Sequence, residues 1–545
     1  MTTSTRALLI AALAGLLTAV LTLHRLDASD VCGSDEAVEG VFVQQMVEHG
    51  AILFPVENGR SPMYKPPLFH WTALALDRAA GIPDVTAFNL RLPAALYAIA
   101  GSFLTTLIAY SFLGADGALI AGLTLAGSYQ YIEEGRIGRV DMTLCFCEAI
   151  ALFAFLYWYA PPPRPSPAAG PAPSDRRGPG FLRYIFAFAL GLGVLAKGPV
   201  GAILPALAIA IFLIAKRRMQ DLWRLATPGP LILGAATASC WYIACYFDHR
   251  YSFLNRQLGS ENFGRFFGTL GAMAPWYYAK PLFFNSFPMS CLLPLAAYAA
   301  LRARRDDSPP VPPPDAASAI ASSRPSQNPL SIWSAARMMF LPPMDPAQSP
   351  AERATAARAS AAARLAAIFY ISTIVFFTIA AYKRRAYLLP LWPPGALLLG
   401  WWLARLARTY AVGRAVRNCF AAACIILIVF NFFWMPYKEI RGCGGDSFRE
   451  AAAEINRIVG PAEPLYFYDM PAEPASILFY LNRDAPVITG KLGDAPPGYV
   501  IIPAAKWAQL KDQALTLEPV YESTSGAYQI VLLHPGKTYA STTPR

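Results

Sequence analysis

The residues best suited to chemistry lie in the stretch 34–71, which follows the first long apolar run. Asp35 and Glu36 form an acidic pair, and Lys65 precedes two prolines in the segment Tyr64-Lys65-Pro66-Pro67. Because proline disfavours helical geometry in the residue before it, we expect Lys65 to lie on an extended, stiff segment. Fixed carboxylates and a fixed ammonium just outside a bilayer suit catalysis on an anionic lipid head group. An amphipathic loop helix with ordinary surface charges is the alternative.

Further charged residues stand between later apolar runs. The segment 129–141, YQYIEEGRIGRVD, brings Arg139 and Asp141 close to two hydrophobic stretches. Charges so close to hydrocarbon are costly and usually face a water-filled cavity, although an interfacial turn with solvated ends is the alternative. Lys197 precedes the Gly198-Pro199 break, where it is either a snorkelling anchor or a contact for an anion.

Two more segments add cations to this set. Arg265 lies in the segment 248–275, where charged residues alternate with phenylalanines. Arg384 is the middle one of three consecutive cations, Lys383 to Arg385, which precede Tyr387. We predict that Lys383, Arg384 and Arg385 form a pocket for an anion.

A helix should present the acidic pair. Val38, Phe42 and Met46 recur every four residues and give one apolar face, which predicts an amphipathic helix lying along the membrane surface. Ser34 should cap its start, and Gly50 should end it in the left-handed conformation that favours glycine.

The composition is that of a membrane protein. Of 545 residues, 55% are hydrophobic and only 15% are charged, against about 25% charged in a soluble domain. Apolar windows of about twenty residues, the length that crosses a bilayer, predict about eleven spans, the first being a retained helix rather than a signal peptide. They lie near 7–24, 92–113, 117–132, 142–160, 181–197, 199–215, 229–247, 281–301, 365–381, 386–404 and 418–436.

The net charge of +11 mostly reflects topology, not nucleic-acid binding. Lysines and arginines concentrate in alternate loops, which predicts a cytoplasmic N-terminus by the positive-inside rule. The predicted outer loops are 25–91, 133–141, 248–275 and 382–386. Eight cations on the outer side remain unexplained by topology, namely Lys65, Arg136, Arg139, Lys197, Arg265, Lys383, Arg384 and Arg385.

The chain divides into a membrane domain, 1–436, and a small periplasmic α/β domain, 437–545. The fold class is therefore mainly α, a polytopic membrane protein with a C-terminal extracytoplasmic α/β domain that covers the site or recognises the acceptor. Pro/Ala-rich linkers are predicted at 161–180 and 302–364, the second with a short surface helix at 330–341. Cys32 and Cys443 both lie in outer segments, so an oxidising periplasm would permit a disulfide between them.

Several short motifs occur in this chain in an order that resembles the order in a known family. Besides the acidic pair and Lys-Pro-Pro, they are Arg139-Val-Asp141-Met, Leu195-Ala-Lys-Gly-Pro199, Glu261-Asn-Phe-Gly-Arg265-Phe and Tyr387-Leu-Leu-Pro390. This set is similar to the bacterial aminoarabinose transferases of lipid A and the related protein O-mannosyltransferases, of glycosyltransferase families 83 and 39. Those proteins are membrane glycosyltransferases of the GT-C fold that use polyprenyl-phosphate sugars. The resemblance covers about residues 1–436.

The resemblance implies roles for individual residues. Asp35 and Asp141 would lie in the active site. From the chemistry of these residues, we expect Asp35 to act as general base and Asp141 to position the acceptor or share that role, with Glu36 a further catalytic candidate. By motif match, Lys65, Arg265 and Tyr387 would contact the carrier phosphate. From their charge and position on the outer side, Arg139, Lys197 and Arg384 are further candidates for the same phosphate. The partners would be a polyprenyl-phosphate sugar and a lipid, glycan or protein acceptor. Tyr64 stands where the lipid A enzymes have glutamate, which leaves the sugar and a divalent metal open.

Two other classes of function are compatible with many membrane spans. A polyprenyl-lipid or glycolipid flippase would need broken or polar helices at mid-membrane and an internal repeat, and the sequence shows neither. A scaffold or sensor would explain the outer α/β domain but would leave Asp35, Asp141 and Lys65 without a role.

Overall fold

The protein is mainly helical in the computed structural model, which describes residues 2–59, 61–162, 177–285, 287–303, 349–443, 447–470, 475–511, 517–523 and 529–535. Most of the predicted linkers at 161–180 and 302–364, and the short helix at 330–341, lie outside these ranges. The first helices are α1 Thr3–Leu23, α2 Ser34–Glu48, α3 Leu68–Ala80, α4 Ala87–Gly127, α5 Tyr129–Glu134, α6 Val140–Tyr159, α7 Phe181–Lys197, α8 Val200–Ala215, α9 Met219–Leu225 and α10 Pro228–Phe247.

Shorter elements follow before the last membrane helices. A π-helical segment at Asn255–Gly264 and 3₁₀ turns at Pro275–Tyr278 and Arg385–Leu391 interrupt the α-helices. The helices are α11 Tyr251–Leu254, α12 Arg265–Phe267, α13 Ala279–Phe284, α14 Met289–Arg302, α15 Pro350–Ile379, α16 Trp392–Thr409 and α17 Ala411–Cys443.

The number of eleven membrane spans is not confirmed. Among the described residues, six helices are long and apolar enough to cross a bilayer, or seven if the bent pair Pro275–Phe284 and Met289–Arg302 forms one span. The six are α1, α4, α6, α10, α15 and α17. Helices α7, α8 and α16 coincide with three further predicted spans, but the first two have only 17 and 16 residues.

Helix α4 is a hairpin of two helical halves. Gly114 breaks it with φ 79° and ψ −172°, a backbone conformation open to glycine. A Cβ added at Gly122 in the second half would lie 3.1 Å from Thr106 Oγ1 in the first half, and Tyr131, in α5 just after the second half, donates its hydroxyl hydrogen to the Ala98 carbonyl at 2.8 Å. Both pairs are placed symmetrically about residue 114, so the halves run antiparallel, as the separate spans predicted at 92–113 and 117–132 require.

Helix α2 does not lie on the membrane surface, contrary to the prediction. Val38, Phe42 and Met46 are all buried inside the protein. The C-terminal domain covers this helix, because the Gln44 amide donates to the Phe479 carbonyl at 2.8 Å. Gly33, rather than the predicted Ser34, takes the capping position at the helix start, whereas Gly50 has the expected left-handed φ of 69°.

The C-terminal region is the predicted α/β domain. A five-stranded sheet has the order β4-β3-β5-β7-β6, with β3 parallel to β4 and β5 and the other pairs antiparallel. Strand β6 was not predicted, because Pro519 and a β-bulge after it disturb the alternation that identifies a strand. The elements are α18 Arg449–Ile458, β3 Leu465–Tyr468, α19 Ala475–Leu481, β4 Val487–Ile488, β5 Tyr499–Pro503, α20 Ala504–Leu510, β6 Leu517–Glu522 and β7 Ile530–Pro535, while β1 Val56–Glu57 and β2 Ser61–Pro62 form a hairpin in the first loop.

Covalent and polar links tie the end of α17 and the C-terminal domain to the segment that precedes Asp35. The predicted disulfide is confirmed, since Cys32 and Cys443 are bonded with their Cα atoms 5.7 Å apart. The Val31 amide donates to the Tyr480 hydroxyl at 2.6 Å. The segment before Asp35 is thus bonded both to the end of α17 and to the C-terminal domain.

Arg136 fastens the end of α1 to α17. Its guanidinium is buried and donates to the carboxylate of Glu439 at 2.7 and 2.8 Å. It also donates to four carbonyls at the end of α1, those of Leu21, Thr22, His24 and Arg25, at 2.8–3.2 Å. One arginine therefore satisfies backbone groups that the helix end leaves without intrahelical partners.

We expect Arg136→Met to lower the free energy of unfolding by about 3–5 kcal/mol, because it leaves the Glu439 carboxylate and four carbonyls without their donor. Thermal unfolding of purified protein measures this. The control is Arg78→Ala, an exposed arginine of α3, which should change stability by less than about 0.5 kcal/mol. Equal melting temperatures for both variants would contradict the structural role of Arg136.

Candidate active site

Asp35 lies in the first turn of α2, where a helix N-terminus favours negative charge. Its carboxylate forms an ion pair with Arg384, and Arg139 Nη1 approaches the same oxygen at 3.6 Å. Two loops that are far apart in sequence thus converge on the predicted base.

Asp141 occupies the matching position in the first turn of α6. It forms an ion pair with Lys197 from the end of α7, and Arg139 Nε lies 3.9 Å from its other oxygen. Arg139 therefore stands between the two aspartates, and a further bond to Glu134 at 2.6 Å fixes it there.

Tyr387 connects Lys197 to Arg265. The Lys197 ammonium lies 4.7 Å from the centre of the Tyr387 ring, and Arg265 Nη1 donates to the Tyr387 hydroxyl at 3.2 Å. Phe377 stacks on the same ring with centroids 4.9 Å apart, which fixes its plane.

Tyr382 completes a closed set of contacts. The guanidinium carbons of Arg265 and Arg384 lie 5.1 and 5.6 Å from the centre of its ring, and Arg384 Nε donates to its hydroxyl at 3.3 Å. The contacts described above therefore form a closed loop that begins and ends at Asp35. We call the set the charged ring, which comprises Asp35, Arg384, Tyr382, Arg265, Tyr387, Lys197, Asp141 and Arg139.

Each cation of the charged ring already has a carboxylate partner. Besides the pairs with Asp35, Asp141 and Glu134, Arg265 bonds Glu261 at 2.5 Å. An anion that enters the ring must therefore replace a carboxylate at one or more of these cations. Arginine and lysine suit such an exchange, because both give charge-assisted hydrogen bonds to phosphate.

Gly198 brings the third loop against the end of α7. Its φ of 85° lies in the region that favours glycine, and a Cβ there would lie 2.5 Å from the Gln257 amide nitrogen. A glycine next to Lys197 thus lets the π-helical segment that leads to Arg265 pack closely against the site.

Lys65 lies outside the charged ring. Its ammonium forms an ion pair with Glu39, and His70 Nε2 lies 2.6 Å from the other oxygen of Glu39. Glu39 and His70 are completely buried, and neither was predicted as a site residue. The role of Lys65 on the carrier phosphate stays a prediction, and its charge still acts on Asp35.

Glu36 is fixed by its neighbours. Arg91 donates to both of its oxygens at 2.8 and 3.0 Å, and the Gly138 amide donates to it at 2.8 Å. These bonds join the Asp35 loop to the residue before Arg139. They favour a positioning role for Glu36, whose predicted catalytic role remains untested.

The pocket predicted for three consecutive cations is wrong in part, since only Arg384 joins the charged ring. Lys383 is buried and donates to the Ala380 and Met273 carbonyls at 2.6 and 3.3 Å. Arg385 pairs with Glu133 at 2.8 Å. Arg384 is extended whereas Arg385 begins a 3₁₀ turn, so the three side chains point in different directions and their charges are separated.

Electrostatic effects keep the first-loop groups ionised. Burial alone would raise the pKa of Asp35, but Lys65, Arg384 and Arg139 lower it more, so it lies below the ordinary value of 3.8. The pKa of Glu39 is also lowered, because Lys65 and His70 outweigh the effect of burial. The pKa of Lys65 is raised, since Glu39 outweighs its desolvation.

Glu148 is a second carboxyl group that the sequence prediction missed. It lies on α6, seven residues or about two turns beyond Asp141, and is only 1% exposed. Among the described residues neither of its oxygens has a hydrogen-bond partner. An ionisable residue inside an apolar run was the available signal.

The described residues contain no group of three or more histidine, cysteine, aspartate or glutamate side chains arranged to hold a metal ion. The divalent metal left open by the sequence therefore has no defined donor set among them, and we derive no step through one.

The fold is that of the GT-C membrane glycosyltransferases. The structure of ArnT from Cupriavidus metallidurans bound to undecaprenyl phosphate has a TM-score of 0.72 at 17% identity, with 98% of this chain and 99% of that chain covered. Its apo form has a TM-score of 0.68 at 16% identity and covers 96% of this chain and 97% of that one. The structure of arabinofuranosyltransferase AftD from Mycobacteria has a TM-score of 0.52 at 16% identity. The match covers 98% of this chain and 40% of the AftD chain.

Sequence comparison agrees with this fold. Residues 15–247 match the family model described as dolichyl-phosphate-mannose-protein mannosyltransferase. An uncharacterised protein of Aquifex aeolicus (strain VF5) is 25% identical over 287 residues, which are 52% of this chain and 53% of that protein, about half the length of each. The resemblance predicted from the motifs is confirmed.

The lowered pKa of Asp35 predicts a pH-dependent contribution to stability. A carboxyl whose pKa is lower in the folded protein stabilises it above the unfolded value, about 3.8, and this contribution is lost as pH falls through the folded value. Asp35→Asn should therefore lower the melting temperature at pH 7, and its difference from the wild type should shrink below about pH 4. A difference that stays constant from pH 7 to pH 3 would refute this, and Glu518→Gln, at an exposed position of β6, is the control.

Proposed function

We propose that this protein transfers a sugar from a polyprenyl-phosphate-linked donor to an acceptor at the outer face of a bacterial inner membrane. The observation that carries the proposal is the charged ring, in which two aspartates stand among four cations and two tyrosines at one end of the membrane helices. The GT-C fold and the bound undecaprenyl phosphate of its structural relative support the choice of donor.

The carrier phosphate would bind on the side of the ring formed by Arg265, Tyr387, Lys197 and Arg384. Arginine offers a planar pair of donors, lysine a compact charge, and tyrosine a neutral hydroxyl. Donors from three loops can surround a phosphate in a way that no single loop could. Lys65, held by Glu39, would add a fixed positive charge behind Asp35.

The reaction would be a single displacement. A hydroxyl oxygen of the acceptor attacks the anomeric carbon as the bond from that carbon to the phosphate oxygen breaks, and the leaving polyprenyl phosphate takes the bonding electrons. The acceptor proton passes to the Asp35 carboxylate. Asp141 would orient the acceptor, and the cations would stabilise the charge that grows on the phosphate, often the largest contribution to rate. One displacement inverts the anomeric centre.

Ion-pair exchange would prepare the base for this step. Arg384 lowers the pKa of Asp35 while the two are paired. When Arg384 turns to the incoming phosphate, Asp35 loses one neighbouring positive charge, so its pKa rises and it becomes a stronger base. Carrier binding and base activation would thus be the same event.

The position of the charges does not favour a flippase. The charged ring lies at the ends of α6 and α7, next to the first loop, and not at the middle of the membrane helices, where transporters of this kind bind their substrates. Glu148 lies farther along α6 than Asp141 and does not belong to the charged ring. The C-terminal domain, which packs over α2, would restrict which acceptors reach the ring.

Asp35→Asn should reduce transfer at least 100-fold, because general base catalysis typically supplies about 10²–10⁴-fold. Purified Asp35→Asn protein should still bind undecaprenyl phosphate. Mass spectrometry of lipids, surface glycans and glycoproteins from cells with the wild type, the variant or neither would identify the product and measure its loss. Normal product levels with Asp35→Asn would remove Asp35 from the mechanism.

Arg265→Ala should weaken the binding of undecaprenyl phosphate and slow transfer, because it removes both a phosphate donor and the partner of Tyr387. The matched control is Arg217→Ala, an exposed arginine just past the opposite end of α8. Binding measured with purified proteins should fall only for Arg265→Ala. An equal dissociation constant for wild type and Arg265→Ala would remove Arg265 from the carrier site.

A further inference from the structure

A groove separate from the charged ring lies between the end of α1 and the last turns of α17. Its volume is about 310 Å³. Its walls are cationic, aromatic and apolar. The residues that line it are His24, Arg25, Phe432, Phe433, Pro436, Tyr437, Ile440 and Arg441. None of these residues belongs to the charged ring or forms one of the ion pairs around it.

Hydrogen bonds from Arg136 hold the wall of the groove in place. Arg25 has a φ of 51°, a left-handed conformation that is costly for a residue other than glycine. The buried Arg136 holds this turn by donating to the Arg25 and His24 carbonyls at 3.2 and 2.8 Å, and it bonds Glu439 from the facing helix. A strained residue that its surroundings fix in place is often a functional one.

The cations of the groove have no anionic partner in the described part of the chain. Arg25 and Arg441 are exposed, and no described carboxylate forms an ion pair with either. The Arg441 guanidinium carbon lies 5.5 Å from the centre of the Tyr437 ring, and the His24 ring stacks on Phe432 at 4.1 Å. Two positive charges therefore face an opening whose remaining walls are apolar and aromatic.

The exposed residues of the groove are of the kinds that accumulate at the level of the lipid head groups. Phe433 is 69% exposed and Tyr437 is 49% exposed on a helix that spans the membrane. Aromatic residues accumulate where a membrane helix passes the interface, and cations at that level attract phosphate. Arg25 precedes Asp35 in the same loop, so this interface is on the side of the membrane that carries the charged ring.

We propose that this groove binds one anionic bilayer phospholipid, with its phosphate between Arg25 and Arg441 and an acyl chain along Phe433 and the apolar surface of α17 below it. The phosphate supplies the negative charge that the two arginines lack, and the aromatic walls suit the glycerol and upper chain region. Such a lipid would contact both the end of α1 and α17, close to Cys443, which follows Arg441 by two residues. The inference does not depend on glycosyl transfer.

Native mass spectrometry of the purified full-length protein with phosphatidylglycerol tests the site. Arg25→Ala/Arg441→Ala should lower phosphatidylglycerol binding about tenfold or more, while the charge-retaining Arg25→Lys/Arg441→Lys should keep most of it. Arg78→Ala, an exposed arginine of α3, should bind as the wild type does. If the double alanine variant does not fold, Arg441→Gln alone should still lower binding, because that residue is exposed.

Three results would overturn the proposal. The first is equal phosphatidylglycerol binding by the wild type and the alanine or glutamine variants. The second is equal retention of zwitterionic phosphatidylcholine, which would remove the requirement for net negative charge. The third is loss of the bound phosphatidylglycerol on addition of undecaprenyl phosphate, which would make this groove part of the carrier site.

Discussion

The structure depends on the pairing of two aspartates with cations from distant loops. Asp35 and Asp141 lie on different helices, and Arg139 lies between them at 3.6 and 3.9 Å. Without the cations, two carboxylates in this partly buried place would repel each other and tend to take up protons. With them, the negative charges of both aspartates are balanced, and the segments that carry Lys197, Arg265 and Arg384 meet in one site.

Buried arginines outside the charged ring make that convergence stable. Arg91 joins Glu36 to the carbonyls of the first loop, and Arg136 joins the end of α1 to Glu439. Each uses its fixed set of donors to satisfy several acceptors at once, which lysine could not do. These residues stabilise the loops on which the site is built, so their effect on function would be indirect.

Much of this arrangement could be predicted from the sequence, and the rest could not for identifiable reasons. Apolar run length located the helices, and charge against the positive-inside pattern identified Arg139, Lys197, Arg265 and Arg384 as unexplained by topology. The burial of α2 was missed, because the residues that cover it come from α19, more than 400 residues later. Periodicity gives the faces of one helix but not what packs on each, so the apolar face of Val38, Phe42 and Met46 was assigned to the membrane surface instead of the protein interior.

The ion pairs also explain how one site can hold opposite charges before substrate arrives. Each cation is balanced by a carboxylate, which lowers the cost of burying it, and a phosphate would replace carboxylates at sites that are already shaped for oxygen ligands. The carrier phosphate is therefore expected to occupy the charged ring.

A cryo-EM structure of the protein with undecaprenyl phosphate tests this expectation most directly. The account predicts phosphate density within hydrogen-bonding distance of Arg265 and Tyr387, with Arg384 turned away from Asp35. Phosphate density elsewhere, with the Asp35–Arg384 pair intact, would contradict it.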